Sequence, residues 1–284
     1  MSTFTDQTGK EITLKSPPER IISLVPSQTE FLYDLGLEDE VIGITKFCTN
    51  PEVWFRTKKR IGGTKDLKIN TIKSLGPDLI IANKEENLKQ QVQALESFCP
   101  VWTSDVSNTE DAFDMMLSLG EILCRKERAQ EIVSHIRFSF QKLSGNGIHS
   151  NPQFGFLRPA RSKFKTAYLI WKDPYMTAGG DTFINDMMEL CGFQNLYARH
   201  KRYPITTPQE LREAGCNLLL LSSEPFPFKA KQADELQHQL PFTKIILVNG
   251  EMFSWYGSRM QYAPLYFRNL LQDIAHNPLE AAAI

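Results

Sequence analysis

The 284-residue chain has no apolar run long enough to cross a membrane and no excess of charge of either sign. Lysine and arginine number 32 against 33 acidic residues, so the net charge is −1 and no overall basic field attracts nucleic acid. The first residues show no basic segment followed by an apolar stretch, the pattern of a signal peptide. We therefore expect a cytoplasmic protein that binds no nucleic acid. A periplasmic or lipid-anchored location is the alternative if a leader has been trimmed.

Cysteine is scarce, and the motifs of metal sites and common enzymes are missing. The five cysteines are Cys48, Cys99, Cys124, Cys191 and Cys216. They form no C-x-x-C pair, and their odd number favours a reducing compartment in which they are small buried hydrophobes. The histidines lack metal-ligand spacing, and no P-loop, G-x-G-x-x-G or G-x-S-x-G motif is present. The sequence thus predicts no catalytic residue, no metal site and no required cofactor.

Short apolar runs alternate with helix-like segments along the chain. The runs are Ile21–Val25, Val41–Ile44, Leu79–Ala82, Val101–Trp102, Ala167–Trp171, Leu218–Leu221 and Ile245–Val248. They are rich in Ile, Val and Leu with little polar alternation, as strands covered on both faces should be. This alternation predicts an α/β fold with mostly parallel sheets. The segment Gly179-Gly180-Asp181-Thr182 predicts a helix start capped by Asp181 or Thr182.

The middle of the chain breaks this alternation. One face of a predicted helix over Glu127–Leu143 carries Ala129, Ile132, Val133, Ile136, Phe140 and Leu143. The stretch Gly145–Lys163, which contains Pro and Gly, predicts an exposed loop. We therefore predict two Rossmann-like lobes, residues 1–126 and 145–284, joined by a single long backbone helix over 127–144.

Aromatic residues are concentrated in segments that follow predicted strands, among them Phe47, Trp171, Tyr175 and Tyr203. In open α/β sheets, ligands bind beyond the carboxyl ends of the strands, and large aromatic faces suit a flat or macrocyclic ligand. A further cluster that includes Phe253, Trp255, Tyr256 and Arg259 follows the last predicted strand. Two roles stay open for Arg259. It is either a fork for a ligand carboxylate, amide or phosphate, or the partner of Glu251 or of an acid in the other lobe.

Four blocks of sequence, in order, resemble the class III periplasmic binding proteins, which receive iron-siderophores, haem and cobalamin. The blocks are Phe4–Leu14, Pro17–Glu30 followed by Leu35-Gly36, Gly76–Ala82, and Asp173–Gly179. The resemblance covers almost the whole chain and is greatest to the cobalamin binders. It implies two lobes joined by one rigid helix, with a ligand site in the cleft between them.

The resemblance also implies site residues. By position, Phe47 corresponds to a ligand-stacking Tyr, Tyr203 to a ligand-stacking Trp, and Arg259 to an arginine near the ligand. Met176 stands where the cobalamin binders have Phe, and Thr64 replaces a ligand-facing Trp. The complete predicted ligand-binding set is Phe47, Thr64, Lys84, Glu85, Trp171, Tyr175, Met176, Tyr203, Glu224, Phe253, Trp255, Tyr256 and Arg259.

The transporter-docking members of that family carry one surface Glu on each lobe, which pairs with arginines of the membrane permease. Asn70 and Gln209 occupy those positions here, and Glu210 is adjacent to the second. Matched surface charges set the orientation and rate of encounter between proteins. We therefore expect a monomer that does not dock on an ABC permease in the usual way.

Three functions follow from these observations. The first is a cytoplasmic, non-catalytic protein that binds a bulky metal chelate in the inter-lobe cleft, either a corrinoid such as cobalamin or an iron-siderophore or haem-like ligand. The second is a conventional substrate-binding protein of an ABC importer whose signal peptide is absent from this sequence. The third is a cytoplasmic enzyme that uses the cleft carboxylates of Glu85, Glu86 or Glu251.

Overall fold

The computed structural model describes residues 1–143 and 164–276, so the loop predicted over 145–163 lies outside the described residues. The chain divides into two compact units. Unit 1 comprises Met1–Val106, Asp111–His135 and Tyr256–Arg259. Unit 2 comprises Ser107–Glu110, Ile136–Trp255 and Met260–Ile284. The lobe boundaries placed at residues 126 and 144 stay a prediction.

The first half of the chain contains nine strands and six helices. In chain order they are β1 (Ser2–Thr5), β2 (Glu11–Leu14), β3 (Ile21–Ser23), α1 (Pro26–Asp34), β4 (Val41–Ile44), α2 (Glu52–Thr57), β5 (Lys59–Arg60), β6 (Gly62–Gly63), β7 (Asp66–Leu67), α3 (Ile69–Leu75), β8 (Leu79–Asn83), α4 (Lys89–Glu96), β9 (Val101–Ser104), α5 (Thr109–Ile122) and α6 (Lys126–Leu143).

Unit 1 is built on a five-stranded, wholly parallel sheet with the order β5-β4-β3-β8-β9. One face of this sheet contributes Ile22, Ile80 and Val101 to a core that also contains Ile72 of α3 and Leu95 of α4. Every residue of β3, β8 and β9 is buried. Helices cover parallel strands on both faces, which explains why these strands read as continuous apolar runs.

The described second half of the chain forms a second sheet and its helices. The elements are β10 (Lys165–Trp171), β11 (Met176–Thr177), α7 (Phe183–Leu190), β12 (Gln194–Asn195), α8 (Pro208–Glu213), β13 (Leu218–Ser222), α9 (Ala230–Gln239), β14 (Lys244–Val248), α10 (Glu251–Ser254), a 3-10 helix (Ser258–Gln261) and α11 (Ala263–His276). The sheet order is β11-β10-β13-β14, with β12 also paired to β10, and only β11 is antiparallel.

The predicted helix in the middle of the chain is present and begins one residue earlier, at Lys126. Its apolar face is buried, as at Ala129 and Ile136. The predicted helix start after the two glycines is also present, because the Thr182 hydroxyl caps α7 by accepting a hydrogen bond from the Asn185 backbone N–H. In residues 1–143 and 164–276, no helix combines the length and apolar character needed to span a bilayer.

The cysteines give a direct test of this packing. Cys124 is exposed and the other four are buried. Burial raises the pKa of Cys99 from 9.0 to about 12 and that of Cys216 from 9.0 to about 11. Thiolates are the reactive form, so we expect a thiol reagent to modify only Cys124 in the native protein and all five cysteines after unfolding. The Cys124→Ser variant should show no native reaction, and rapid modification of a second native thiol would contradict this packing.

Candidate ligand-binding site

A short hairpin at the carboxyl end of β4 shapes one part of unit 1. We name it the glycine hairpin, Gly62–Leu67, in which β6 pairs antiparallel with β7. The Lys46 backbone N–H donates to the Gly62 carbonyl at 2.8 Å, which places the hairpin beside the segment that follows β4. Gly62 has a φ of +106°, and a Cβ there would lie 2.2 Å from the Asp66 carbonyl oxygen. The hairpin therefore requires glycine at this position.

The Phe47 side chain lies on the glycine hairpin. A Cβ at Gly63 would be 3.1 Å from Cε2 of Phe47 and 3.2 Å from Cε of Lys46, so both side chains rest against bare backbone. The Phe47 side chain is 52% exposed. The Lys46 Nζ lies 5.1 Å from the centroid of its ring. The fold thus fixes an aromatic ring in place while leaving much of it open to solvent.

The loop after β8 is held by two asparagines. The Asn83 Oδ1 accepts hydrogen bonds from the backbone N–H groups of Glu85 and Glu86, each at 2.9 Å. The Asn83 Nδ2 donates to the Ser104 Oγ, also at 2.9 Å. These bonds fix the start of the loop, in which Glu85 is an exposed residue. Asn83 is a positioning residue that the sequence analysis missed, although a polar residue at the end of a buried strand is a usable signal.

The same loop contacts the glycine hairpin. The Asn87 Nδ2 donates to the Thr64 carbonyl at 2.9 Å, and its Oδ1 accepts from the Asn83 N–H. Thr64 is itself buried. Lys84 is exposed and forms an ion pair with Asp105, which follows β9. Unit 1 therefore brings Phe47, Thr64, Lys84 and Glu85 to neighbouring loops at the carboxyl ends of its parallel strands.

Tyr256 is buried in unit 1, and only 7% of it is exposed. Burial raises the pKa of its hydroxyl well above the usual range, and the charge of Glu86 adds to this effect. The hydroxyls of Ser27 and Ser104 act in the opposite direction. Tyr256 is thus a neutral side chain close to Ser27, Ser104 and Glu86, with little surface to offer a ligand.

Arg259 forms a two-pronged ion pair in unit 1. Its Nε donates to the Glu30 Oε2 at 2.7 Å and its Nη2 to the Glu30 Oε1 at 2.6 Å. The two side chains are only 15% and 13% exposed. Of the two roles that the sequence left open, the structure shows an ion pair, with Glu30 as the acid. Planar bidentate geometry of this kind is specific to arginine.

The Glu30→Gln variant should destabilise the protein by about 2 kcal/mol, because it leaves the largely buried Arg259 cation without its anionic partner. Denaturant unfolding measures the effect. The double variant Glu30→Gln, Arg259→Met provides the control and should recover part of this loss, since it removes the unpaired charge. Equal stability of Glu30→Gln and the unchanged protein would contradict a stabilising role for the pair.

In unit 2, aromatic residues meet near the end of β10. Trp171 is 42% exposed, and its ring meets that of Phe226 edge-on with centroids 5.9 Å apart. Phe226 in turn contacts Phe228, which belongs to the core. Tyr175 is half-buried against the same core, and Met176 follows it in β11, paired with Trp171. The structure therefore brings Trp171, Tyr175 and Met176 together.

Glu224 and Trp255 are joined by a hydrogen bond in unit 2. The Trp255 Nε1 donates to the Glu224 Oε1 at 2.8 Å, and the Ser254 hydroxyl donates to the same oxygen. The Glu224 backbone is held as well, because its N–H donates to Ser222 Oγ and its carbonyl accepts from the same hydroxyl. The half-buried carboxylate is thus used to orient the buried Trp255 indole.

Phe253 and Tyr203, two further residues of the predicted ligand-binding set, have ring contacts outside the Trp171 cluster. Phe253 is fully buried, with its ring centroid 4.8 Å from that of Phe267 and 5.1 Å from that of Tyr168. Its ring is a core element. Tyr203 is half-buried, and the Arg202 guanidinium lies 5.8 Å from the centroid of its ring.

Over the described ranges, no group of three or more His, Cys, Asp or Glu side chains is arranged to hold a metal ion.

With this geometry established, comparison with known proteins identifies the family. The model of the family described as periplasmic binding protein matches residues 21–214. The chain belongs to the periplasmic binding protein family. Its match to the vitamin B12-binding protein of Photorhabdus laumondii is 27% identical over 202 residues, covering 71% of this chain and 68% of the relative. Its match to an uncharacterized ABC transporter substrate-binding lipoprotein of Bacillus subtilis is 25% identical over 205 residues, covering 69% and 61%.

Solved structures show the fold of this periplasmic binding protein. The periplasmic vitamin B12 binding protein of Vibrio cholerae matches with a TM-score of 0.72 at 20% identity, over 92% of this chain and 99% of that one. The periplasmic heme binding protein of the same organism matches with a TM-score of 0.70 at 18% identity, over 89% and 98%. The predicted fold class, an α/β protein of two lobes with mostly parallel sheets, is confirmed, and the predicted long helix is present as α6.

The predicted cytoplasmic location is wrong. The family is one of periplasmic binding proteins, and a relative named above is a lipoprotein, so these findings point to a location outside the cytoplasm. The reason for the error is physical. The fold does not depend on the compartment, so neither the composition nor the packing of this periplasmic binding protein records where it is located. Buried free cysteines do not indicate the compartment either, because they pack as small core residues in reducing and oxidising compartments alike.

Proposed function

We propose that this protein binds a bulky metal chelate and releases it chemically unchanged. The observation that carries the proposal is Phe47, an open aromatic face fixed on the glycine hairpin at the carboxyl ends of parallel strands. Ligands of open α/β sheets bind at that edge. The exposed ring contributes little to the core, and a flat ligand could stack on it.

The names of the relatives supply the ligand classes. Relatives and structural neighbours are named for binding vitamin B12 and heme, which are both large, flat metal macrocycles. In unit 2, the partly exposed Trp171 with Tyr175 and Met176 offers a second apolar surface suited to such a ligand. The location of the ligand in a cleft between lobes stays a prediction. The chelate is a ligand, and we infer no requirement for a cofactor.

A binding role is also better supported than the enzyme hypothesis. Of the three carboxylates proposed for catalysis, Glu85 and Glu86 are exposed on the loop that Asn83 holds. Catalytic acids and bases usually lie in partly buried sites, whereas these two residues are exposed. The relatives named above are binding proteins, which agrees with this inference.

A thermal-shift panel tests the proposal. Cyanocobalamin, haemin and an iron(III) siderophore complex are each added at about 100 μM, and at least one should stabilise the fold by about 1 kcal/mol or more if its Kd is near 10 μM. The metal-free form of the same siderophore is the matched control. If no chelate raises the Tm above that of the protein alone, or if the siderophore complex does so no more than its metal-free form, with no effect of the other two, the proposed function is wrong.

We further infer that any contact with a permease does not use the two surface carboxylates typical of importer-docking relatives. Asn70 is exposed in the first turn of α3, and the exposed Gln209 donates to the Glu213 carboxylate at 2.9 Å. The neighbouring Glu210 is not equivalent to a surface carboxylate at position 209. Its side chain forms a capping box with Thr207 at the start of α8, so the carboxylate is already hydrogen-bonded within the helix start. Adding the charges in Asn70→Glu and Gln209→Glu should then leave chelate affinity unchanged while altering any permease contact.

A further inference from the structure

Positive charge is concentrated around the glycine hairpin. Residues 46–68 contain seven lysines and arginines and two acids, in a chain whose net charge is −1. Two of these cations belong to the two segments that meet at Gly63, the segment after β4 and the glycine hairpin. Lys46 precedes Phe47, and Lys65 lies at the turn of the hairpin on which the ring rests. Both lysines are exposed.

Neither lysine is neutralised by a neighbouring acid. Among residues 1–143 and 164–276, the ammonium groups of Lys46 and Lys65 form no ion pair. By contrast, Lys58 pairs with Glu38 and Lys84 with Asp105. The nearest acid along the hairpin, Asp66, is exposed and forms no ion pair with either lysine.

We propose that the ligand is an anionic metal chelate whose peripheral oxyanions bind the ammonium groups of Lys46 and Lys65 while its ring stacks on Phe47. This inference rests on the proposed function of chelate binding. Two ammonium groups without an ion pair, one at the ring and one at the turn of the hairpin that supports it, attract carboxylate or catecholate oxygens and offer nothing to a neutral periphery. The shared ligand chemistry is therefore a flat or aromatic chelate with negative charge at its edge. A carboxylated metal macrocycle and an iron(III) tris-catecholate both have that chemistry.

The acids of the neighbouring loop do not pair with these two lysines. Glu85 and Glu86 project from the loop that Asn87 ties to the hairpin, but no ion pair joins either of them to Lys46 or Lys65 in the described residues. The Lys46 Nζ lies over the ring, 5.1 Å from its centroid, so an ammonium group is held at the ring on which the ligand would stack.

Binding titrations with four chelates test the inference. The anionic probes are haemin and an iron(III) tris-catecholate, and the neutral probes are cyanocobalamin and an iron(III) tris-hydroxamate. We expect an anionic probe to bind most tightly, with an affinity that falls as salt rises. Lys46→Gln and Lys65→Gln should each weaken it about fivefold, as expected for exposed charge contacts. Lys46→Arg should retain most of the affinity, and Lys59→Gln, which removes an exposed cation of β5, is the matched control.

The outcomes separate the inference from the proposed function. Preference for haemin identifies a carboxylated macrocycle as the ligand class, and preference for the tris-catecholate identifies a catecholate complex. If a neutral probe binds as tightly as both anionic probes, or if Lys59→Gln weakens binding as much as Lys46→Gln, the anion inference is wrong while chelate binding stands. If none of the four probes binds, the proposed function is itself wrong.

Discussion

Replacing Phe47 by alanine should weaken chelate binding by about 2 kcal/mol, or roughly thirtyfold, and leave the free energy of unfolding within about 0.5 kcal/mol of its original value. Phe47 is 52% exposed and its ring rests on glycine backbone, so the folded protein loses little packing when the ring is removed. A stacked ligand, by contrast, loses its main apolar contact in unit 1. Calorimetric titration measures the first effect and denaturant unfolding the second.

The chain contains a close match to serve as control. Phe138 in α6 is 50% exposed, and the Lys142 Nζ lies 4.2 Å from the centroid of its ring. It thus shares the exposure and the neighbouring lysine of Phe47 but lies outside the candidate site. Phe138→Ala should leave chelate affinity unchanged. Equal losses of affinity in both variants would show that exposed aromatic character in general, and not the hairpin surface, governs binding.

Replacing Phe253 by alanine should have the opposite pattern, with a loss of stability of about 3–5 kcal/mol. This ring is fully buried between Tyr168 and Phe267, so its removal leaves a cavity in unit 2. Chelate affinity, measured at a temperature where the variant is still folded, should be unchanged. The measurement is denaturant unfolding followed by the same calorimetric titration.

Phe253→Leu provides the conservative control and should lose less stability, because leucine fills part of the space. Its affinity should match that of the unchanged protein. Loss of affinity in a fully folded Phe253→Leu protein would contradict a core role and support the ligand contact that the sequence predicted.

Much of the fold could be predicted because its signals are local. Every apolar run predicted as a strand forms one, and the apolar face of Ala129, Ile136 and Phe140 is buried in α6 as expected. Periodicity and β-branched composition report directly on the number of covered faces. The cap of α7 at Thr182 is equally local, since the hydroxyl and the N–H that it accepts are three residues apart.

The site residues were harder to separate because exposure depends on distant contacts. Phe47 and Phe253 both follow a strand and look alike in sequence, yet one lies open on Gly63 and the other is enclosed by rings from other parts of unit 2. Arg259 and Glu30 are 229 residues apart, so no window of sequence pairs them. Long-range packing decides these cases, and a single sequence does not record it.

The glycine hairpin was missed for a different reason. Its strands have two residues each, which is too short for any periodicity to register. The signal that was present is the pair Gly62-Gly63, since adjacent glycines mark close approach of other groups to the backbone. The positions of Lys46 and Lys65 relative to Phe47 depend on how this hairpin folds, so the sequence did not predict them either.

The central claim is that this protein retains a metal chelate at the Phe47 surface, and equilibrium dialysis against coloured chelates tests it most directly. We expect at least one chelate to accumulate with the protein to one equivalent, read from its absorbance, and Phe47→Ala to reduce that accumulation while Phe138→Ala does not. Equal concentrations of every chelate on both sides of the membrane would contradict the claim.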